Sequence, residues 1–160
     1  MRLAEDLKAF SKNSFKKAIV TVITNPCFHC VCLYRLSNFF YKIRLSCVSK
    51  LIWYINRLIF HADIDYRANL AGGFVLVHGL GTVIGAEVKT KGVCHVYQGV
   101  TIGGSRGKSR IIDGRRTGQP VIGRNVIVYT DAKLFGPVYI GDNNIIKSGK
   151  IITEDVADRH

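Results

Sequence analysis

Hydrophobic positions change their spacing once along this chain, close to residue 62. Residues 1–62 are rich in Leu, Ile, Phe, Lys and Arg and contain no glycine, whereas all sixteen glycines follow residue 70. Glycine breaks helices and makes turns. The first part therefore reads as helices and the second as short strands with many turns. One or two short helices are predicted within 3–24, Asn25-Pro26 breaks them, and two more follow over 28–43 and 46–61.

The second part repeats itself. Steps of six from Ile64 meet Leu70, Leu76, Thr82, Val88, Cys94 and Val100; from Ile122 they meet Val128, Leu134, Ile140, Ile146 and Ile152. In the second series the position four further on is often small or aliphatic, as at Val126, Ala132, Val138 and Val156, with Asn144 and Lys150 as exceptions. A period of six fits neither an α-helix nor an alternating strand. It predicts a triangular prism of parallel strands, with each inward residue stacked on its equivalent about 18 residues later. The step from Val100 to Ile122 is not a multiple of six, so the two series are out of phase. The polar, basic segment 105–118 between them is predicted as an external loop, the usual place for function in a compact domain. The chain thus divides into a small α-helical N-terminal segment, 1–62, and a mainly β domain, 63–160.

Charge changes this picture by suggesting partners. The 160 residues carry a formal net charge of +12, with 48% hydrophobic and 21% charged residues. Such a folded, basic chain favours anionic partners. Within 1–62, ten Lys or Arg face only Glu5 and Asp6, and Lys42, Arg44, Lys50 and Arg57 interleave with aromatic and aliphatic residues. That mix suits peripheral contact with anionic lipid, or a helical packing unit with a solvated basic face. The N-terminus lacks the features of a secretory signal, and Leu51–Phe60 is too short to span a bilayer. The expected location is the cytoplasm, peripheral at the inner face of the membrane if the basic segment docks there. No nucleic-acid recognition motif accompanies the charge, so no nucleic-acid partner is expected. The five cysteines are expected as free thiols. Cys27, Cys30 and Cys32 surround His29 but have no second cluster, so buried hydrophobes are expected rather than a metal.

The pieces ADID at 62–65, VHGLGTVIGAE at 77–87 and VYQGVTIGG at 96–104 resemble the hexapeptide-repeat acyltransferases, specifically serine O-acetyltransferases and their relatives in surface-polysaccharide biosynthesis. The resemblance covers about residues 25–156. It implies a left-handed parallel β-helix, acetyl-CoA as co-substrate, no metal, and a homotrimer or a multiple of trimers with active sites between subunits. It also implies His78 as the general base and Asp63, fifteen residues earlier, as the group orienting its imidazole. Gly103 and Gly104 match a glycine pair beside the pantetheine arm, and Thr130 and Ser148 fall where small residues line the same groove; Ser105, next to the pair, and Lys108, one of the cations of 105–118 whose charge suits the cofactor's phosphates, are further candidates for cofactor contact. Glycines at tight prism corners and a solvated basic loop are the competing structural explanations.

The resemblance also has gaps. Val77 stands where the family's serine site has Asp, and Gln119 where it has His. Val77 cannot pair with an ammonium, and an unpaired charge in a desolvated pocket is costly. A sugar acceptor from surface-polysaccharide biosynthesis is therefore expected, with serine and a non-catalytic scaffold as alternatives. The end of the sequence at His160, soon after the last repeat, is a further expectation against docking on cysteine synthase.

Overall fold

A computed structural model describes residues 2–159; His160, the last residue of the predicted β domain, lies outside the described residues. Four helices come first: α1 (Arg2–Ser11), α2 (Phe15–Thr24), α3 (Pro26–Lys42) and α4 (Ser46–Phe60). Lys12 and Asn13, at φ 51° and 60°, separate the first two. The break at Asn25-Pro26 has a local cause. Asn25 Oδ1 accepts from the Phe28 N–H at 3.0 Å, capping α3, and Pro26 fills a first-turn position that needs no N–H. A left-handed His61 ends α4.

Fourteen strands follow, numbered in chain order. One face of the prism stacks β1 (Asp63–Ile64), β3 (Val83–Ile84), β6 (Thr101–Gly103), β11 (Lys133–Phe135) and β14 (Ile151–Ile152). The second stacks β2 (Phe74–Val77), β5 (Cys94–Tyr97), β10 (Val126–Val128) and β13 (Ile145–Ile146). The third stacks β4 (Lys89–Thr90), β9 (Val121–Ile122) and β12 (Tyr139–Ile140). All pairs within these faces are parallel. The segment 105–118 is not structureless: β7 (Arg110–Ile112) and β8 (Arg115–Thr117) form an antiparallel hairpin. Its turn, Asp113-Gly114, has positive φ at both residues, as a tight hairpin requires.

Register corrects the predicted spacing. Ile84 pairs with Ile102 and Leu134 with Ile152, each exactly three steps of six further along the chain. Ile64, however, pairs with Ile84, which overshoots three steps by two residues. Ile102 pairs with Leu134, and the overshoot there equals the length of segment 105–118. The smaller excess was hidden by the repeat itself. Each six-residue unit points two residues inward, so an insertion of two shifts a step-of-six series from one inward position onto the other. Thr82, Val88, Cys94 and Val100 are all buried, yet they belong to the other inward position, and Ile84, Thr90, Val96 and Ile102 continue the series that Ile64 begins.

The first coil's open edge is closed by the helices. Asp6, fully buried, accepts from Arg35 Nε and Nη2 at 2.8 and 2.9 Å and from the Phe74 N–H at 2.9 Å. Arg35 also donates to the Leu70 and Ala71 carbonyls, each at 2.6 Å. Tyr34 Oη donates to the Ala68 carbonyl at 2.7 Å, and Asn38 Nδ2 to the Tyr66 carbonyl at 2.7 Å. These bonds satisfy backbone groups that a sheet edge otherwise exposes.

Candidate active site

The corner leading from the second face to the first carries His78. Four corners stack there, joined by the N–H of Gly81 to the His61 carbonyl, Gly99 to Leu80, Asp131 to Gln98 and Gly149 to Thr130, at 2.9–3.1 Å. Val77 pairs with Tyr97, and Leu80 occupies the level of Gln98. His78 and Gly79 have no counterparts in the lower corners: they are the two inserted residues. His78 adopts φ 59°, a left-handed conformation sparsely populated by residues with a Cβ. Its side chain is exposed, and its ring makes no hydrogen bond among the described residues. The inserted corner thus lifts a histidine off the smooth prism edge.

The N-terminal end of α3 packs against this corner. A cavity of about 270 Å³ lies between them, lined by Pro26, Cys27, Cys30, Phe60, Leu76, His78, Gly79 and Leu80. It is mainly apolar and His78 supplies its only ionisable base. Burial pushes the Cys27 thiol up, opposed by the His78 and Gly79 N–H groups, and burial pushes the Cys30 thiol up to about 12. Both stay protonated at neutral pH. His29 does not turn toward these thiols; its Nε2 donates to the Val22 carbonyl at 2.8 Å.

A second cavity, about 420 Å³, lies at the corner between the first and third faces. Gly104, Ser105, Lys108, Arg106, Arg116 and Gln119 line it, beneath the β7–β8 hairpin. A Cβ added at neighbouring Gly103 would meet nothing within 4 Å, so the backbone there is open to close approach. The hairpin is fastened by Asp113 to Lys89 and Lys91 at 3.3 and 3.0 Å, by Glu87 to the Gly118 N–H at 2.7 Å, and by Arg110 to Asp155.

No protein-family model matches the chain. Individual proteins do. Serine acetyltransferase of Synechococcus elongatus is 31% identical over 141 residues, 88% of this chain and 55% of that protein. The Helicobacter pylori enzyme is 30% identical over 131 residues, 82% of this chain and 73% of that protein. The chain belongs to the serine acetyltransferase family. It spans little more than half the length of the Synechococcus relative. The crystal structure of Neisseria gonorrhoeae serine acetyltransferase in complex with serine superposes with a TM-score of 0.85 at 26% identity, covering 98% of this chain and 63% of that one. Brucella abortus serine acetyltransferase gives the same TM-score at 24% identity, covering 98% and 62%. The fold is the left-handed parallel β-helix of these neighbours, preceded by helices.

Within this family member the predicted residues are not all brought together. Asp63 stands on β1 beside the His78 corner, but its carboxylate accepts from Trp53 Nε1 at 2.9 Å and pairs with Arg57 at 3.5 Å; no hydrogen bond joins it to His78. Its spacing from His78 is not quite one coil, and α4 reaches the carboxylate first. Thr130 and Ser148 stand in the corner stack of His78, whereas Gly103, Gly104, Ser105 and Lys108 stand at the other corner. One chain therefore splits the expected cofactor groove between two prism edges. Val77 adjoins His78 on β2. Gln119 is committed elsewhere, its Oε1 accepting from the Glu87 N–H at 3.0 Å. Sequence reasoning passed over Gln98, one level below the inserted corner, whose buried Oε1 has no hydrogen-bond partner among the described residues. It lies inside the quoted motif VYQGVTIGG, but nothing in its residue type singles it out.

Proposed function

We propose that this chain is an O-acetyltransferase that moves the acetyl group of acetyl-CoA to an acceptor hydroxyl. The observation that carries the reading is His78, raised on a two-residue insertion beside an apolar cavity and free of competing bonds. Acetyl-CoA supplies the activated acyl group. His78 takes the proton of the acceptor hydroxyl as that oxygen attacks the thioester carbonyl carbon; the C–S bond then breaks and the thiol leaves with a proton. Gly103, open to close approach, and the cations Arg106, Lys108 and Arg116 around the second cavity suit a pantetheine arm and its phosphates. A cyclic trimer would set the His78 edge of one copy against the hairpin edge of the next, and this reading takes the active site as shared in that way.

For the acceptor, the apolar cavity favours a sugar hydroxyl of a surface-polysaccharide precursor over serine. No Asp, Glu, Lys or Arg lines it, so the charged groups of an amino acid would lose water without gaining partners. The names of the relatives support the second reading, serine. Thiol release from acetyl-CoA, measured with L-serine and a panel of sugars beside a His78→Ala control, tests both. Release with a sugar and not with serine, lost in the control, is the expected result. Serine-dependent release would overturn the acceptor reading, and no release with any acceptor would point to a scaffold.

A further inference from the structure

Helices α2 and α4 are packed inside out for a protein in water. Of α4's fifteen residues only Ser49 and Asn56 are buried, and of α2's ten only Thr21. Val48, Leu51, Ile55 and Leu58 form one outward stripe at helical spacing, with Leu51 59% and Leu58 56% exposed. On α2, Phe15 is 81% and Ile23 69% exposed. The contact between α3 and α4 is polar instead. Ser37 Oγ donates to the Ser49 carbonyl at 2.7 Å, Ser49 Oγ to the Ser37 carbonyl at 2.8 Å, and Asn56 Nδ2 to the Cys30 carbonyl at 3.1 Å. Small and polar residues between helices with large aliphatics outside is how helices pack in lipid. A surface helix in water does the reverse.

Charge identifies the occupant of this face. Residues 15–60 contain seven Lys or Arg and no Asp or Glu. Arg35 and Arg57 pair with Asp6 and Asp63, while Lys16 and Lys17 on α2 and Lys50 on α4 form no ion pair among the described residues. A second copy bringing the same face would set cations against cations; an anionic headgroup layer would neutralise them. Tyr54, exposed on α4 beside the stripe, is an amphipathic ring suited to a membrane interface. No single helix among the described residues is long and apolar enough to cross a membrane. The fitting geometry is a helix lying in the plane of the interface.

We propose that the outward faces of α2 and α4 dock this protein onto an anionic lipid bilayer, with the apolar stripes in the acyl boundary and the unpaired cations among the headgroups. This goes beyond acetyl transfer and does not depend on its acceptor. The test is flotation of the full chain with vesicles of phosphatidylcholine alone and of phosphatidylcholine with phosphatidylglycerol. Binding is expected only with the anionic lipid, falling as salt is raised. Lys16→Ala with Lys17→Ala should weaken partition about thirtyfold. Leu51→Gln with Leu58→Gln should weaken it about tenfold or more. Far-UV circular dichroism checks that both variants fold, and the salt series on the unmutated chain stands whether or not they do. Equal binding to neutral vesicles, no binding to either, or a Leu51→Gln, Leu58→Gln variant that changes oligomer size while floating like the parent would overturn the proposal. The last of these would assign the face to a second copy.

Discussion

Replacing Asp6 by Leu should destabilise the protein by about 4 kcal/mol, the usual range for breaking a buried ion pair being ~3–5 kcal/mol. The carboxylate is fully buried and accepts three hydrogen bonds, two from Arg35 and one from the Phe74 N–H. Removing it leaves the Arg35 guanidinium, 9% exposed, without its counter-charge and orphans a strand N–H on β2. The two carbonyl bonds from Arg35 to Leu70 and Ala71 remain but cannot neutralise the charge. Adding Arg35→Met should recover about half of the loss, because an apolar pair no longer contains a stranded ion. The assay is equilibrium urea unfolding followed by circular dichroism at one fixed protein concentration, since any assembly adds a mass-action contribution. A loss below about 1 kcal/mol for Asp6→Leu alone would refute the reasoning. It would mean that Arg35 finds water by displacing α1, and that the clamp does not hold the helices to the first coil.

Burial holds His95 below the ordinary imidazole range, helped by Lys12. Its folded pKa is depressed, so the associated stability is present above the unfolded value, ~6.5, and is lost as pH falls below it; the urea midpoint should drop between neutral and mildly acid pH, and His95→Gln should flatten that slope. Gly103→Ala should leave the urea midpoint almost unchanged, because the new methyl meets nothing in the chain, while weakening acetyl-CoA binding in a titration. Gly123→Ala should instead cost about 2–3 kcal/mol, since its Cβ would lie 2.8 Å from the Asp142 backbone nitrogen and 2.8 Å from the Gly141 carbonyl carbon.

The prism was legible because its inward positions obey a short period that burial enforces. Ile122, Val128, Leu134 and Ile140 are completely buried, as the step of six requires. The helix break at Asn25-Pro26 was equally local, a cap and a proline in adjacent positions. What escaped was anything that depends on how two segments meet. Asp63 has the family's spacing from His78, yet Trp53 and Arg57 from α4 take its carboxylate, and no pattern within 62–87 announces them. Thr130 and Ser148 match the family by position along the chain, but assigning a residue to a prism edge needs the register, and the excess contributed by 105–118 hides that Thr130 stacks on Gln98 rather than on Gly104. The hairpin in 105–118 could have been read from Asp113-Gly114 between Ile112 and Arg115; its basic composition drew attention to charge instead. The inside-out helices left a trace only in the density of aliphatic and basic residues, because helical spacing alone does not tell which stripe faces the core.

The inserted corner allows stability and function to be separated. Deleting His78 and Gly79 joins Val77 to Leu80, the same connection that Tyr97 makes to Gln98 one coil below, and restores the three-step spacing by which Ile84 meets Ile102. The deletion removes one left-handed non-glycine residue, which costs about 1–2 kcal/mol where it stands. It also removes the Thr82 N–H bond to the Gly79 carbonyl, at 3.2 Å, and the Leu80 N–H bond to the His78 carbonyl. These opposing changes are similar in size, so the urea midpoint should move by no more than about 1 kcal/mol equivalent in either direction. Acetyl transfer should disappear. If the corner were instead a structural necessity, closing it would misalign β2 and β3 and the cooperative transition would be lost. A deletion variant that unfolds far more readily than His78→Ala would therefore refute the view that these two residues are an insertion tolerated for the sake of the imidazole.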